Sequence, residues 1–269
     1  MSAFQQLISS VIAQTDTSYH ARIDSSWLQG RTAFGGVSTA LVVAAMRQQV
    51  ADERALRALS VSFVGPSPEG EHNIALRQLR SGGSVTHMQG ELVCNGEVAT
   101  SVSAAFGKAR TSRIAVKGPS LQPAQGADKG MRMPFIEGVT PAFTQHFDMQ
   151  LVAGGLPFSG AESGDFAMWL RFKEPTPIDE CGLIALADAP PMPGLNMIKP
   201  PGVGSSLSWY LEFPLTVDDM GDVDPAGWWY LDYRCQAASD GYYNNYATVW
   251  TPDGRPALFS RQVATVFEK

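Results

Sequence analysis

The segment FGGVSTALVVAAM, residues 34–46, constrains this chain more than any other stretch. Apolar and small residues fill nearly every position of its helical wheel, so no face is left for water. The pattern predicts a helix over 34–54, opened by Gly35 and Gly36, with a polar end from Arg47 to Arg54 that emerges into solvent. A helix apolar on all sides has to be covered on all sides. The residues that follow offer the cover. LSVSFV (59–64) alternates, 73–79 and 87–93 flank the turn RSGGS, and Asn95-Gly96 signals a tight hairpin before 97–106. A buried helix followed by four antiparallel strands describes a sheet wrapped around that helix.

Periodicity is lost from 107 to 140, where Pro119, Pro123 and Pro134 interrupt the chain, and this stretch reads as a connector. Its basic residues, Lys108, Arg110, Arg113 and Lys117, read as a solvated linker. Strand patterns resume with 143–152 and 165–173. A short helix over 178–189 is stopped by Pro190 and Pro191, and four more strand patterns follow, with Asp253-Gly254 as a second hairpin signal. The order strand, helix, four strands therefore occurs twice. It divides the chain into an N-terminal repeat (1–108), a linker (109–142) and a C-terminal repeat (143–269). Setting ALSVSFVGP on SLSWYLEFP places Pro66 opposite Pro214 and Ala58 opposite Ser206. Setting the two hairpin signals together places Gly96 opposite Gly254 and Ala104 opposite Gln262. The extra residues of the second half fall in 215–227.

Composition narrows the function. With 44% apolar and 17% charged residues over 269 positions, the chain can build a real core. A net charge of −6 argues against a general nucleic-acid binder, which needs a basic surface. The longest apolar run, Ala40 to Met46, is far shorter than a membrane span, and the first residues lack the features of a secretory signal. Three widely spaced cysteines, Cys94, Cys181 and Cys235, fit a reducing compartment, and the cytoplasm is expected.

Common catalytic motifs are missing. Gly36-Val37-Ser38-Thr39-Ala40 lacks the final glycine of a nucleophile elbow, no GxxxxGK[ST] occurs, and Gly202-Val203-Gly204 precedes a strand. The histidines (His20, His72, His87, His146) have no metal-ligand spacing, and none follows residue 146. No metal or cofactor is expected. What remains is a set of polar residues at apolar positions in the second half. Asp188 ends the helical segment GLIALAD, Gln262 shares a strand face with Leu258 and Ser260, and Ser206 opens SLSWYLEF. A carboxylate at such a position is costly unless it is hydrogen-bonded or faces a cavity. The plain alternatives are a helix-end carboxylate bonded to nearby backbone, a glutamine bridging strands and an exposed strand serine.

These residues resemble those of the acyl-CoA thioesterase II-like family. The marks in the first half are GRTAFGG, SFVGP and LRSGGS; in the second they are LIALADAPP, SLSWYLEFP, and DG followed by Gln262. The resemblance covers about residues 20–108 and 143–267. It implies an α+β double hot-dog, two repeats each of an antiparallel sheet wrapped around a central helix. It also implies hydrolysis of acyl-CoA to free acid and CoA, the thioester being substrate rather than cofactor. An Asp on the second helix, a Thr or Ser on the next strand and a Gln on the last strand hold the attacking water in that family. Here these are Asp188, Ser206 and Gln262, with serine in place of the threonine of the best-known members and Ser205 adjacent as an alternative hydroxyl.

Thioester hydrolysis needs a positioned water, a proton acceptor and a site for the developing oxyanion. Asp188 would accept the proton, and Ser206 and Gln262 would aim the water. For the oxyanion, the backbone N–H groups of Gly36 and Val37 at a helix N-terminus are candidates. Two rivals stand beside this reading. A hot-dog hydratase or dehydratase usually pairs Asp with His on one segment, and LADAPPMPG has no His. A non-catalytic acyl-CoA or acyl-chain binding protein would keep the cavity without turnover. A small-molecule substrate and a homo-oligomer are the expected partners.

Overall fold

The computed structural model describes residues 1–116, 118–200 and 202–268, so Lys117 of the basic stretch lies outside the described residues. The first half runs α1 (Ala3–Ser9), β1 (Ile12–Ala13), β2 (Ser18–Ile23), β3 (Leu28–Gln29), β4 (Thr32–Ala33), α2 (Gly35–Arg47), β5 (Arg54–Phe63), β6 (Gly70–Ser81), β7 (Val85–Cys94) and β8 (Glu97–Lys108). The second runs β9 (Met131–Arg132), β10 (Phe147–Ala153), β11 (Phe166–Phe172), α3 (Glu180–Asp188), β12 (Gly202–Glu212), α4 (Val217–Met220), β13 (Trp229–Ser239), β14 (Tyr242–Trp250) and β15 (Pro256–Glu268).

The long strands form one antiparallel sheet, ordered β1-β2-β6-β7-β8-β5-β12-β15-β14-β13-β11-β10-β9. The order β2-β6-β7-β8-β5 is mirrored by β12-β15-β14-β13-β11, and the halves join where β5 pairs with β12, from Ser62 with Ser208 to Ala58 with Glu212. This edge-to-edge pairing closes two strand edges that would otherwise be left open. Each half curls around its helix. Every residue from Gly36 to Met46 is buried, as is every residue from Cys181 to Ala187.

The two helices lie side by side in opposite directions. Gly36, at the start of α2, meets Asp188, at the end of α3; Arg47, at the end of α2, meets Glu180, at the start of α3. The expected helix over 34–54 is therefore shorter than its pattern suggested. It stops at Arg47, Gln48 caps it, and β5 opens at Arg54. Arg47 does not emerge into solvent either. Its guanidinium bonds Glu180 at 2.6 Å, reaches the carbonyl of Arg54 at 2.5 Å and lies over the Phe106 ring. Polarity alone suggests exposure, whereas a partly buried carboxylate on the other repeat holds this charge.

The register between the repeats also differs from the sequence pairing. β5 bulges at Arg57 and β12 bulges at Leu207. Matching the bulges sets Leu56, not Ala58, opposite Ser206, while Ala104 stays opposite Gln262. A slip of two residues keeps every side chain on its own face, so alternation could not reveal it. The hairpins differ as well. Asn95 and Gly96 both have positive φ, at 50° and 84°, and form a tight turn. Around Asp253 only Gly254 is left-handed, at 81°, within a wider loop closed by Thr251 and Arg255.

Candidate active site

Asp188 owes its position to the end of α3. The helix is capped at its start by Asp179, whose carboxylate accepts from the Gly182 N–H, and it ends where Pro190 and Pro191 forbid continuation. The Tyr233 hydroxyl, from β13, donates to the carbonyl of Ala187 and ties down the last turn. The Asp188 carboxylate then points across to the first helix. Oδ2 accepts the Gly36 N–H at 2.6 Å, and Oδ1 accepts the Gln262 amide at 3.5 Å. Gln262 Nε2 also donates to Ser206 Oγ at 2.9 Å. Three elements, α3, β12 and β15, thus bring the three expected side chains together. The hydroxyl that meets Gln262 is that of Ser206; Ser205 instead offers its backbone carbonyl to Thr265.

Electrostatics give this carboxyl an unusual character. Burial raises the Asp188 pKa to about 7, and the Gly36 N–H, favouring the anion, offsets only part of that. The phenol of Tyr233 is pushed well up by burial and by the neighbouring Asp188. A carboxyl that titrates near neutral pH is suited to take and return a proton.

These groups line a cavity of about 680 Å³, within the range of small-molecule sites. Phe63, Trp209, Phe158, Met192 and Leu195 give it apolar walls, while the loop from Gln29 to Thr32 and the segment from Gly65 to Ser67 form polar stretches. Among the described lining residues, Arg31 and Asp188 carry charge and none is histidine. No three His, Cys, Asp or Glu side chains among the described residues converge as a metal site requires.

The expected oxyanion donors are placed otherwise than the sequence suggested. The Gly36 N–H is engaged by Asp188, and the Val37 N–H donates to the Phe34 carbonyl at 3.1 Å. The reason is tertiary: antiparallel packing of the helices brings the Asp188 carboxylate onto the N-terminus of α2. Gly35, the first residue of that helix, lines the cavity.

Sequence reasoning missed two residues here. Tyr233 gave no signal among the aromatics of its strand. Asn245 did give one: along β14, Tyr243, Asn245, Ala247 and Val249 share the buried face, so an amide stands in an apolar row. The equivalent place in the other repeat carries an ion pair beside a smaller cavity of about 230 Å³. At the end of α2, Glu180 accepts from both Arg47 and the Leu56 N–H, while Leu56 and Ala104 occupy the positions of Ser206 and Gln262.

Two family models match the chain in order. Residues 23–107 match the acyl-CoA thioesterase N-terminal domain, and residues 122–266 match the acyl-CoA thioesterase C-terminal domain. Among curated proteins none matches. Solved structures show the fold. A hot-dog protein of unknown function from Alicyclobacillus acidocaldarius superposes with a TM-score of 0.86 at 20% identity, covering 100% of this chain and 99% of its own. An acyl-CoA thioesterase II from Mycobacterium marinum superposes with a TM-score of 0.77 at 16% identity, covering 98% of each chain.

Proposed function

The chain belongs to the acyl-CoA thioesterase family, and on that premise we propose that it hydrolyses acyl-CoA thioesters to free acid and CoA with Asp188 as general base. The observation that carries this reading is the convergence of Asp188, Ser206 and Gln262 on one cavity, with the carboxyl pKa raised by burial. A water set against these groups gives its proton to Asp188 as its oxygen attacks the thioester carbonyl. Ser206 and Gln262 fix its direction. Gln262 Nε2 donates to Ser206 Oγ, which leaves the serine proton free for the water. The carbonyl oxygen becomes an oxyanion at the N-terminus of α2, where the helix dipole favours negative charge. The Gly35 N–H is the donor suited to it, because the next two amides are engaged. Collapse breaks the C–S bond, and the proton held by Asp188 passes to the leaving thiolate.

The absence of histidine among the described lining residues weighs against the Asp–His chemistry of a dehydratase. Arg31 offers a cation to the phosphates of CoA. Three free cysteines fit a reducing compartment, and the proposal extends to a cytoplasmic enzyme of fatty-acid metabolism that works as a homo-oligomer. Release of free thiol from a panel of acyl-CoAs of different chain lengths tests the reading. Turnover by the wild type, lost in Asp188→Asn with folding kept, supports it. Tight binding without turnover by the wild type moves the chain to the acyl-binding class.

A further inference from the structure

Asn245 stands on β14 directly opposite Gln262 on β15. Its Nδ2 donates to Gln262 Oε1 at 3.4 Å, its own Oδ1 has no protein partner, and the residue is 3% exposed. We infer that Asn245 is a positioning residue, which fixes the Gln262 amide with its nitrogen toward Asp188 and Ser206. The inference rests on the hydrolase reading above.

The argument is one of hydrogen-bond polarity. An ionised Asp188 only accepts, so Gln262 has to present its nitrogen there. Its oxygen then faces β14, where a donor is needed to hold it. Asn245 supplies that donor, and its oxygen is left over. An unpaired buried amide oxygen is unfavourable. Alanine and valine occupy the next two positions on this buried face, Ala247 and Val249, so packing alone would favour an apolar residue at 245. The amide is therefore explained by what it does to Gln262. Without it, the Gln262 amide can turn over and set its oxygen against the carboxylate, costing Asp188 a donor and the water its aim. The groups facing Asp188 are the Gly36 N–H from α2, Ser206 from β12, Gln262 from β15 and the Tyr233 phenol from β13. Of these, Gln262 is the one to which Asn245 is hydrogen-bonded.

The test is a set of purified variants assayed for thiol release across pH, with melting temperature as a folding check. Asn245→Leu keeps the shape and removes the donor. It is expected to lower kcat roughly 10- to 100-fold with KM little changed, and to move the pH midpoint of kcat upward. Asn245→Asp, which sets an acceptor against Gln262 Oε1, is expected to lower kcat further; Asn245→Ser, whose hydroxyl can donate, restores part of it. On a Gln262→Ala background, Asn245→Leu is expected to add nothing, because its route to the reaction has been removed. Wild-type kcat and pH midpoint in Asn245→Leu, or a loss that multiplies in full with Gln262→Ala, overturns the inference. A wild type without turnover overturns the hydrolase reading instead. The inference is then read from the Asp188 carboxyl titration by carbon NMR: a rise in Asn245→Leu supports it, and an unchanged titration rejects it.

Discussion

Asp188 Oδ2 and the Gly36 N–H lie 2.6 Å apart across 152 residues of sequence. This bond joins the end of one repeat's helix to the start of the other's. It places a carboxylate where the helix dipole favours its charge and where burial opposes it. The balance leaves the group near neutrality, and several outcomes can be measured.

Replacing the carboxylate should stop the chemistry. Asp188→Asn keeps the shape and a hydrogen-bonding side chain, but it cannot take a proton from water. Its kcat should fall about 10²- to 10⁴-fold, the usual contribution of a general base. Steady-state thiol release by variant and wild type checks this, and a loss under threefold would mean that another group serves as base.

The same carboxyl sets a pH dependence of turnover. Since the ionised form is the active one, kcat should rise with pH through a midpoint near 7 and then level off. A flat profile from pH 5 to 9 would contradict the assignment.

It also sets a pH dependence of stability, of defined sign. The folded-state pKa is raised from 3.8 to about 7, so the native state holds the proton more tightly than the unfolded chain does. The stability this supplies is complete below about pH 4 and is lost as pH rises toward 7. The loss corresponds to on the order of 4 kcal/mol. Asp188→Asn has no such loss, so urea titrations at several pH values should show the variant gaining on the wild type between pH 4 and 7. A constant difference over that range would count against a buried, protonated carboxyl.

Gly36 allows the helices to meet. A Cβ there would lie 2.7 Å from the Phe34 ring, 3.0 Å from Asp188 Cβ and 3.1 Å from Ala185 Cα. Backbone on α3 cannot yield without separating the helices. Gly36→Ala is therefore expected to lower the melting temperature and to displace the carboxylate, cutting kcat at least about tenfold. Wild-type melting and turnover together would show that the helix contact is looser than described.

The ion pair at the matching place in the other repeat should matter for stability and not for chemistry. Glu180→Ala takes a carboxylate from Arg47, which keeps the Arg54 carbonyl, and from the Leu56 N–H, and should cost about 1–3 kcal/mol. Replacing both charges, Arg47→Met with Glu180→Met, should recover much of that, with kcat per folded molecule unchanged. Urea denaturation with parallel assays separates these outcomes, and a neutral Glu180→Ala would deny the pair its role.

Sequence and tertiary structure divided the determination of this protein along physical lines. Local pattern was enough for the buried helix, the strands, the hairpin at Asn95-Gly96 and the doubling of the fold, because burial period and turn chemistry are written in neighbouring residues. The same logic singled out Asp188, Ser206 and Gln262 as polar groups in apolar rows, and Asn245 carried that mark too. What local pattern could not supply was anything dependent on how the repeats meet. The two-residue offset between the repeats at β5 and β12, the pairing of Arg47 with Glu180 and the capture of the Gly36 N–H by Asp188 all arise between residues far apart in the chain. A two-residue slip preserves alternation, a charge looks solvent-bound until its partner is known, and an amide looks free until a distant carboxylate arrives. Those choices were made by packing one helix against another, and they turn a buried acid into a candidate base.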